Sequence, residues 1–262
     1  MIHHVDRLDD PRLAAYARVG DATWLRAQHL FVAEGRLVVR RLFEVARYDV
    51  ESVLVTPAAL AALSDVLPQT AVIYVADQAL LNTITGFNFH RGCLALARRP
   101  AATPASVRTG SRRLVALEGI GNPDNVGGIF RVAAAFGVDG VLLDPSSGDP
   151  LYRKAIRTSM GAALQMPFER LDRWPEALQD LKAQGFDVLA LTPRTGAQPL
   201  EAVMRKAPDR WVLLAGAEGP GLSDAALAAA NVHVRIPMVA TVDSLNVTVA
   251  VGIALSRLCA SG

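Results

Sequence analysis

The chain has 262 residues, 51% of them hydrophobic and 20% charged, with a formal net charge of +2 at pH 7. That balance excludes a disordered chain and leaves room for one large or two ordinary domains, but it is too weakly basic to show nucleic-acid binding by charge alone. No uncharged apolar run could span a bilayer, and the polar, acidic start from Met1 to Asp10 does not read as a secretory signal, so a cytoplasmic protein is expected.

Residues 1 to about 20 are polar and are expected to be poorly ordered. Trp24 to Ala46 follows helical spacing, interrupted near Glu34-Gly35. After it come a short strand at Val53-Leu54-Val55, a helix from Pro57 to Leu67, a strand from Ala71 to Val75 and a helix from Asp77 to Ile84. A polar loop, Thr85 to Gly92, leads to a strand from Cys93 to Ala97. Strands alternating with helices predict a small α/β domain over residues 1–98. Residues 99–112 then turn to proline, alanine, serine, glycine and arginine without periodicity, which predicts a linker.

A second alternation begins at 113 and runs to 262. Strands are predicted at Leu114 to Leu117, Gly140 to Leu143, Val188 to Leu191 and Trp211 to Ala215. Helices are predicted at Val126 to Phe136, Tyr152 to Ala163 and Trp174 to Gln184. The continuous apolar strands imply a parallel sheet covered on both faces. Beyond Trp211 the chain reads as strand, glycine loop (216–221), helix, strand (Asn231 to Ile236), polar loop and a helix from Leu245 that is apolar on nearly every face. Such a helix belongs in a core or an interface. The polar residues Asp243, Ser244 and Asn246 at its entrance must be hydrogen-bonded by the fold or by a ligand.

The two cysteines, Cys93 and Cys259, cannot make a disulfide framework. No Cys/His cluster has metal-ligand spacing, so both are expected to be buried thiols and no metal is expected. Arginine heavily outnumbers lysine. Its planar fork suits phosphate, although codon usage produces the same preference. Five arginines without an acid (98, 99, 108, 112 and 113) form one basic cluster, and Arg153, Lys154 and Arg157 could share a helical face.

Glu118 to Gly128 joins the first strand and helix of the second domain. Its glycines miss the dinucleotide fingerprint, because Asp124 stands where the third is needed and Pro123 interrupts the turn. The segment reads instead as a helix entry, with Asp124 or Asn125 as the cap and Gly127 and Gly128 permitting a close approach. Arg131 follows among apolar neighbours. It is either a structural salt bridge, a snorkelling surface residue or a functional group, and Glu218 in its glycine loop is either a helix cap or functional.

Three segments bear on these alternatives together. Asn125-Val-Gly-Gly-Ile-Phe-Arg131, Leu214-Ala-Gly-Ala-Glu218-Gly-Pro-Gly221, and Ile236-Pro-Met through Ser244-Leu-Asn246-Val-Thr-Val-Ala resemble, in order, the three motifs of the SpoU/TrmH branch of the SPOUT RNA methyltransferases. Phe31-Val-Ala-Glu-Gly-Arg36 and Phe89-His-Arg-Gly-Cys93 resemble the small RNA-binding domain often fused in front. The resemblance implies ribose 2′-O-methylation of RNA with S-adenosylmethionine, ribosomal RNA being favoured over transfer RNA. It also implies an α/β parallel-sheet domain with a deep trefoil knot, and a homodimer formed through it. The family's cofactor positions match Gly216, Ile236 and Leu245, with Thr192 beside them; its catalytic positions match Asn125, Arg131, Glu218, Ser244 and Asn246. Thr248 stands where serine is common, and Val239 to Val242 lacks a glycine that many relatives carry.

The chemistry so implied is an in-line methyl transfer, for which the protein must align the hydroxyl and remove its proton. The resemblance offers Arg131 as the base, which requires a strongly depressed pKa. A guanidinium normally stays protonated, so Arg131 is expected instead to hold phosphate and stabilise the developing alkoxide, with the proton relayed nearby and Arg131 oriented by Asn125 and Glu218. The alternative is a catalytically inactive knotted RNA-binding or assembly protein.

Overall fold

The computed structural model describes residues 1–86, 91–100, 107–204, 208–239, 241 and 244–259. The chain forms two compact units, one of Met1–Ala101 with Leu151–Gln165 and the other of Ala102–Pro150 with Met166–Gly262.

In the first unit the elements are β1 (Ile2–His4), α1 (Ala22–Ala27), β2 (Leu30–Glu34), α2 (Arg36–Val45), β3 (Val50–Val55), α3 (Pro57–Leu63), β4 (Ile73–Val75), α4 (Gln78–Thr85) and β5 (Cys93–Arg98). The sheet order is β1-β4-β3-β5-β2. β1, β4 and β3 run parallel, while β5 is antiparallel to both of its neighbours. The segment expected as one interrupted helix, Trp24 to Ala46, therefore contains a fully buried strand. Its break is Gly35 at φ 95, a left-handed backbone that favours glycine. The amino-terminal residues are not loose, because β1 pairs with β4 and Leu13, Tyr16 and Val19 enter the core. Their spacing of three residues suits the two short 3-10 turns that carry them. Tyr16 is fully buried, and its hydroxyl shares a 2.9 Å hydrogen bond with Ser52 Oγ.

The second unit contains β6 (Arg113–Glu118), α5 (Pro123–Ala135) and β7 (Gly140–Leu143). The chain then adds α6 (Arg153–Thr158) and α7 (Ala162–Gln165) to the first unit. The single helix expected from Tyr152 to Ala163 is broken by Met160 and Gly161, both at positive φ. The second unit resumes with β8 (Phe168–Arg170), α8 (Ala177–Ala183), β9 (Asp187–Leu191), β10 (Gln198–Pro199), α9 (Leu200–Met204), β11 (Trp211–Gly216), α10 (Asp224–Ala229), β12 (Val232–Arg235) and α11 (Val247–Leu258). Its seven strands, ordered β10-β12-β9-β11-β6-β7-β8, are all parallel, as the apolar runs of β6, β7, β9 and β11 predict.

Of the expected linker, residues 101–106 lie outside the described residues. Val107 and Ser111 are buried, Val107 in the core of the second unit. The surrounding arginines are not a free basic surface. Arg98 pairs with Glu51, Arg99 Nε donates to Leu30 O at 3.0 Å, Arg108 pairs with Glu169 at 3.1 Å and Arg112 lies 3.7 Å from Asp209. Cys93 is buried in β5, and burial pushes its thiol up to about 12, that of an inert core group. Cys259 is only half-buried, at the end of α11.

The ordered amino terminus makes a testable demand. Tyr16→Ala is expected to cost about 3–5 kcal/mol, the scale of a fully buried aromatic truncation. A denaturant melt that moves by less than about 1 kcal/mol would show that these residues do not belong to the core.

Candidate functional site

The site is built on the carboxyl ends of three adjacent strands, β12, β9 and β11, where ligands of open parallel sheets bind. The loops that leave them enclose a pocket of about 260 Å³. Thr192, Gly216, Ile236 and Leu245 all line it, as do Glu218 and Ser244. Leu191, Ile236, Leu245 and Val247 supply apolar surface, and the turn from Gly216 to Gly219 supplies exposed backbone. That is the usual make-up of a small-molecule site.

Gly216 is required by packing. A Cβ there would lie 2.4 Å from the backbone carbon of Gly221 and 2.5 Å from the amide nitrogen of Leu222. The turn closes on itself, with Ala217 and Gly221 bridged and Gly219 and Gly221 at φ 87 and 71. Thr192 is buried, its amide donates to Val234 O at 2.9 Å and its hydroxyl accepts from Arg194 N at 3.3 Å.

The three motifs meet at Asn246. Its Oδ1 accepts from the amides of Thr248 (3.0 Å) and Val249 (3.3 Å), capping α11. Its Nδ2 donates to Asn125 Oδ1 at 3.0 Å and to Glu218 Oε1 at 2.7 Å. One amide thus uses both lone pairs and both protons. α11 also approaches α5 through glycine: a Cβ on Gly128 would lie 2.7 Å from Thr248 Cγ2, and Thr248 Oγ1 donates to Asn125 O at 3.3 Å. The threonine hydroxyl is in use, and Gly128 permits the close approach expected of it.

Several sequence-based assignments change. The cap of α5 is Asn122, whose side chain accepts from Asp124 N, and neither Asp124 nor Asn125 fills that role. Glu218 does not cap α10; Ser223 does. Asn125 and Glu218 do not hold Arg131 but Asn246. Asn125 and Arg131 are six residues apart, about 240° around the helix, so the first is 6% exposed while the second faces solvent. Arg131 makes no hydrogen bond or ion pair among the described residues, and it is not among the residues lining the pocket. A structural salt bridge for Arg131 is therefore not what the structure shows. Asp243 lies outside the described residues.

Other supporting residues were not anticipated. Glu118, at the end of β6, accepts from Ser223 N (2.9 Å), Ser223 Oγ (2.8 Å) and Trp174 Nε1 (2.8 Å). Ser223 follows the glycine turn directly, so Glu118 fixes where that turn ends. Arg194 joins the loop after β9 to that after β11, reaching Asp224 at 2.5 Å and Leu222 O at 3.3 Å. Buried Asp144 accepts from Gly119 N, Ser147 N and Ser146 Oγ. Burial pushes its carboxyl up, but these hydrogen bonds prevail and hold it below its ordinary value. Arg170 donates to the carbonyls of Asp144, Pro145 and Ser147, at 2.6 to 3.1 Å. Gly119, where the loop into α5 begins, is thereby tied to the loop after β7. Each signal is a contact between residues far apart in the chain, which no local pattern contains.

The Asn246 bridge can be separated from its cap. Asn246→Asp keeps the capping oxygen but places a carboxylate against Glu218. We expect it to lower stability by about 1–3 kcal/mol at neutral pH and to recover part of that as the pH falls and the new carboxyl becomes a donor. Melting curves from pH 5 to 8 check this, and a loss independent of pH would contradict it.

Known proteins resemble this chain along most of its length. Residues 112–256 match the model of the SpoU rRNA Methylase family. An uncharacterised tRNA/rRNA methyltransferase of Mycobacterium bovis is 43% identical over 98% of this chain and 89% of its own. One from Mycobacterium tuberculosis is 42% identical over the same shares. Among solved structures, an AdoMet-bound rRNA methyltransferase from Sinorhizobium meliloti superposes with a TM-score of 0.83 at 22% identity, covering 98% of this chain and 97% of that one. A protein described as an RNA 2′-O ribose methyltransferase gives 0.81 at 25% identity, covering 100% and 99%. The family match over the second unit and the full-length likeness to the mycobacterial proteins lead to one conclusion: this chain belongs to the SpoU RNA methylase family.

Proposed function

We propose that this chain transfers the methyl group of S-adenosylmethionine to a ribose 2′-hydroxyl of RNA. The observation that carries the reading is the Asn246 bridge, which brings Asn125, Glu218 and the pocket loops into one hydrogen-bonded group. The residues present fit the cofactor. Leu191, Ile236, Leu245 and Val247 offer apolar walls for an adenine ring, and the Gly216–Gly219 backbone offers hydrogen bonds at its edge. Structural neighbours from Sinorhizobium meliloti and Streptomyces viridochromogenes were solved with AdoMet, and a third is named for 2′-O methylation. Ribosomal RNA is favoured over transfer RNA by the family description, while the mycobacterial relatives are named for both.

Bound S-adenosylmethionine supplies an electrophilic methyl carbon on its sulfonium. The protein supplies alignment and charge. Glu218 and Ser244 stand at the pocket wall beside Leu245, where they would shape the turn around cofactor and ribose. Arg131 is exposed and has no partner among the described residues, and its guanidinium would hold a phosphate and stabilise the alkoxide as the proton leaves. The second unit would carry the catalysis and the first would hold RNA. A deep trefoil knot belongs to this reading. So does a homodimer through the second unit, supported by Val249, 50% exposed on the otherwise apolar α11. Sedimentation should find a dimer at micromolar concentration, and a stable monomer would remove that element.

Arg131→Ala should leave the melting temperature and S-adenosylmethionine affinity nearly unchanged, because the side chain supports nothing within the chain. Single-turnover methyl transfer should fall by roughly a hundredfold or more, the scale of losing a transition-state donor. Arg131→Lys should rescue little, since lysine lacks the planar fork. A folded Arg131→Ala protein that turns over normally would take Arg131 out of the mechanism. If wild-type protein takes up no S-adenosylmethionine in calorimetry, a knotted RNA-binding protein without catalysis replaces the whole reading.

A further inference from the structure

Most arginines in the described ion pairs are matched one to one with an acid, but one carboxylate in the first unit is not. Glu34, at the end of β2, has a side chain only 5% exposed and is surrounded by three guanidinium groups. Arg153 Nη1 donates to its Oε2 at 3.1 Å, a true hydrogen bond that neutralises the buried charge. Arg157 stands at 3.7 Å and Arg91 at 3.8 Å from Oε1, both beyond hydrogen-bond reach. They remain 37% and 50% exposed. Arg36, two residues after Glu34, is exposed as well.

We propose that Arg91 and Arg157, with Arg36 beside them, form a binding surface for the phosphodiester backbone of RNA, templated by Glu34. The inference rests on the reading of the chain as an RNA methylase. The physical argument is a surplus of charge. A buried carboxylate is satisfied by one well-placed guanidinium; further arginines add mutual repulsion that a polyanion relieves. Glu34 draws the two outer guanidiniums into a narrow space, so less side-chain freedom is lost when they engage phosphate oxygens in their bidentate manner. The glycine after Glu34 keeps the site tight: a Cβ on Gly35 would lie 3.1 Å from Arg91 Cδ. The surface also gives a use to two sequence features that the catalytic site leaves aside. It joins the segment around Glu34-Gly35-Arg36 to Arg91, and it explains why residues 151–165 belong to this unit, where Arg41 Nη1 donates to Met160 O at 2.5 Å and helps hold them.

The test uses the full chain and a fluorescein-labelled RNA stem-loop, with binding followed by anisotropy from 50 to 300 mM salt. Arg91→Ala/Arg157→Ala should weaken binding at least tenfold near 100 mM salt. The slope of log K against log salt should become shallower by roughly one to two units, as the loss of two phosphate contacts requires. Arg91→Lys/Arg157→Lys should recover much of both, since lysine still carries the charge. Melting curves separate this from an ion-pair role, in which the alanine variant would lose melting temperature and keep RNA affinity and salt slope; that result overturns the proposal. S-adenosylmethionine calorimetry on the wild type separates it from the enzymatic reading. Normal cofactor binding with unchanged RNA affinity of the alanine variant defeats the surface alone. Lost RNA affinity in that variant, with no cofactor uptake by the wild type, defeats the enzyme alone.

Discussion

Asn246 holds the functional architecture together because it spends an entire primary amide on three separate segments. Its oxygen closes the first turn of α11, and its nitrogen is shared between Asn125 on α5 and Glu218 in the turn after β11. The three segments come from positions 121 and 28 residues away in sequence. An asparagine suits this because it presents donors and acceptors at opposite ends of one planar group. Aspartate would lack the donors. Serine or threonine could cap the helix but has one proton to give. The arrangement also sets the pocket, since Glu218 lines it and α11 begins beside it. Asn125 is buried while Asn246 and Glu218 are exposed, so the bond to Asn125 is the more sheltered of the two.

Around that amide the structure uses close backbone approach to make space for a ligand and rigid polar contacts to keep it open. Gly216 lets the turn double back on residues 221 and 222, and Gly128 lets α11 settle on α5. Glu118, Arg194 and the Asp144–Arg170 group then fix the ends of the loops. Arg131 stands apart from these contacts. It makes no hydrogen bond or ion pair among the described residues, so a variant there would separate chemistry from stability.

Much of the second unit was legible in the sequence for a simple physical reason. Strands of a parallel sheet, covered on both faces, must be apolar throughout, and the runs at Leu114 to Leu117, Val188 to Leu191 and Trp211 to Ala215 could be nothing else in a sheet of this kind. The glycine turn and the polar entrance to α11 were legible because each breaks such a run. The misreadings share one cause. Leu30 to Glu34 continued a helical spacing by accident, and only tertiary pairing with β5 makes it a strand. The polar amino terminus looked loose because its few apolar residues, Leu13, Tyr16 and Val19, are sparse, yet each is buried. The excursion at 151–165 depends on Glu34 and Arg41, more than a hundred residues earlier. Asn125 and Glu218, expected from the sequence to orient Arg131, are joined to Asn246 instead, because spacing shows which groups are present and not which of them meet.

The charge distribution follows the same division. Of the arginines flanking the domain boundary, Arg98 is paired with Glu51 and Arg108 with Glu169, so local basic sequence overstates what is available there. The account's central claim is the chemistry at the pocket, and one measurement bears on it most directly. Total RNA from cells with and without this protein would serve as substrate for the purified chain with methyl-labelled S-adenosylmethionine, followed by alkaline hydrolysis. The account predicts label in alkali-resistant dinucleotides, because a methylated 2′-oxygen can no longer attack its own phosphate. Label recovered only in mononucleotides, with the methyl group on a base, would contradict it.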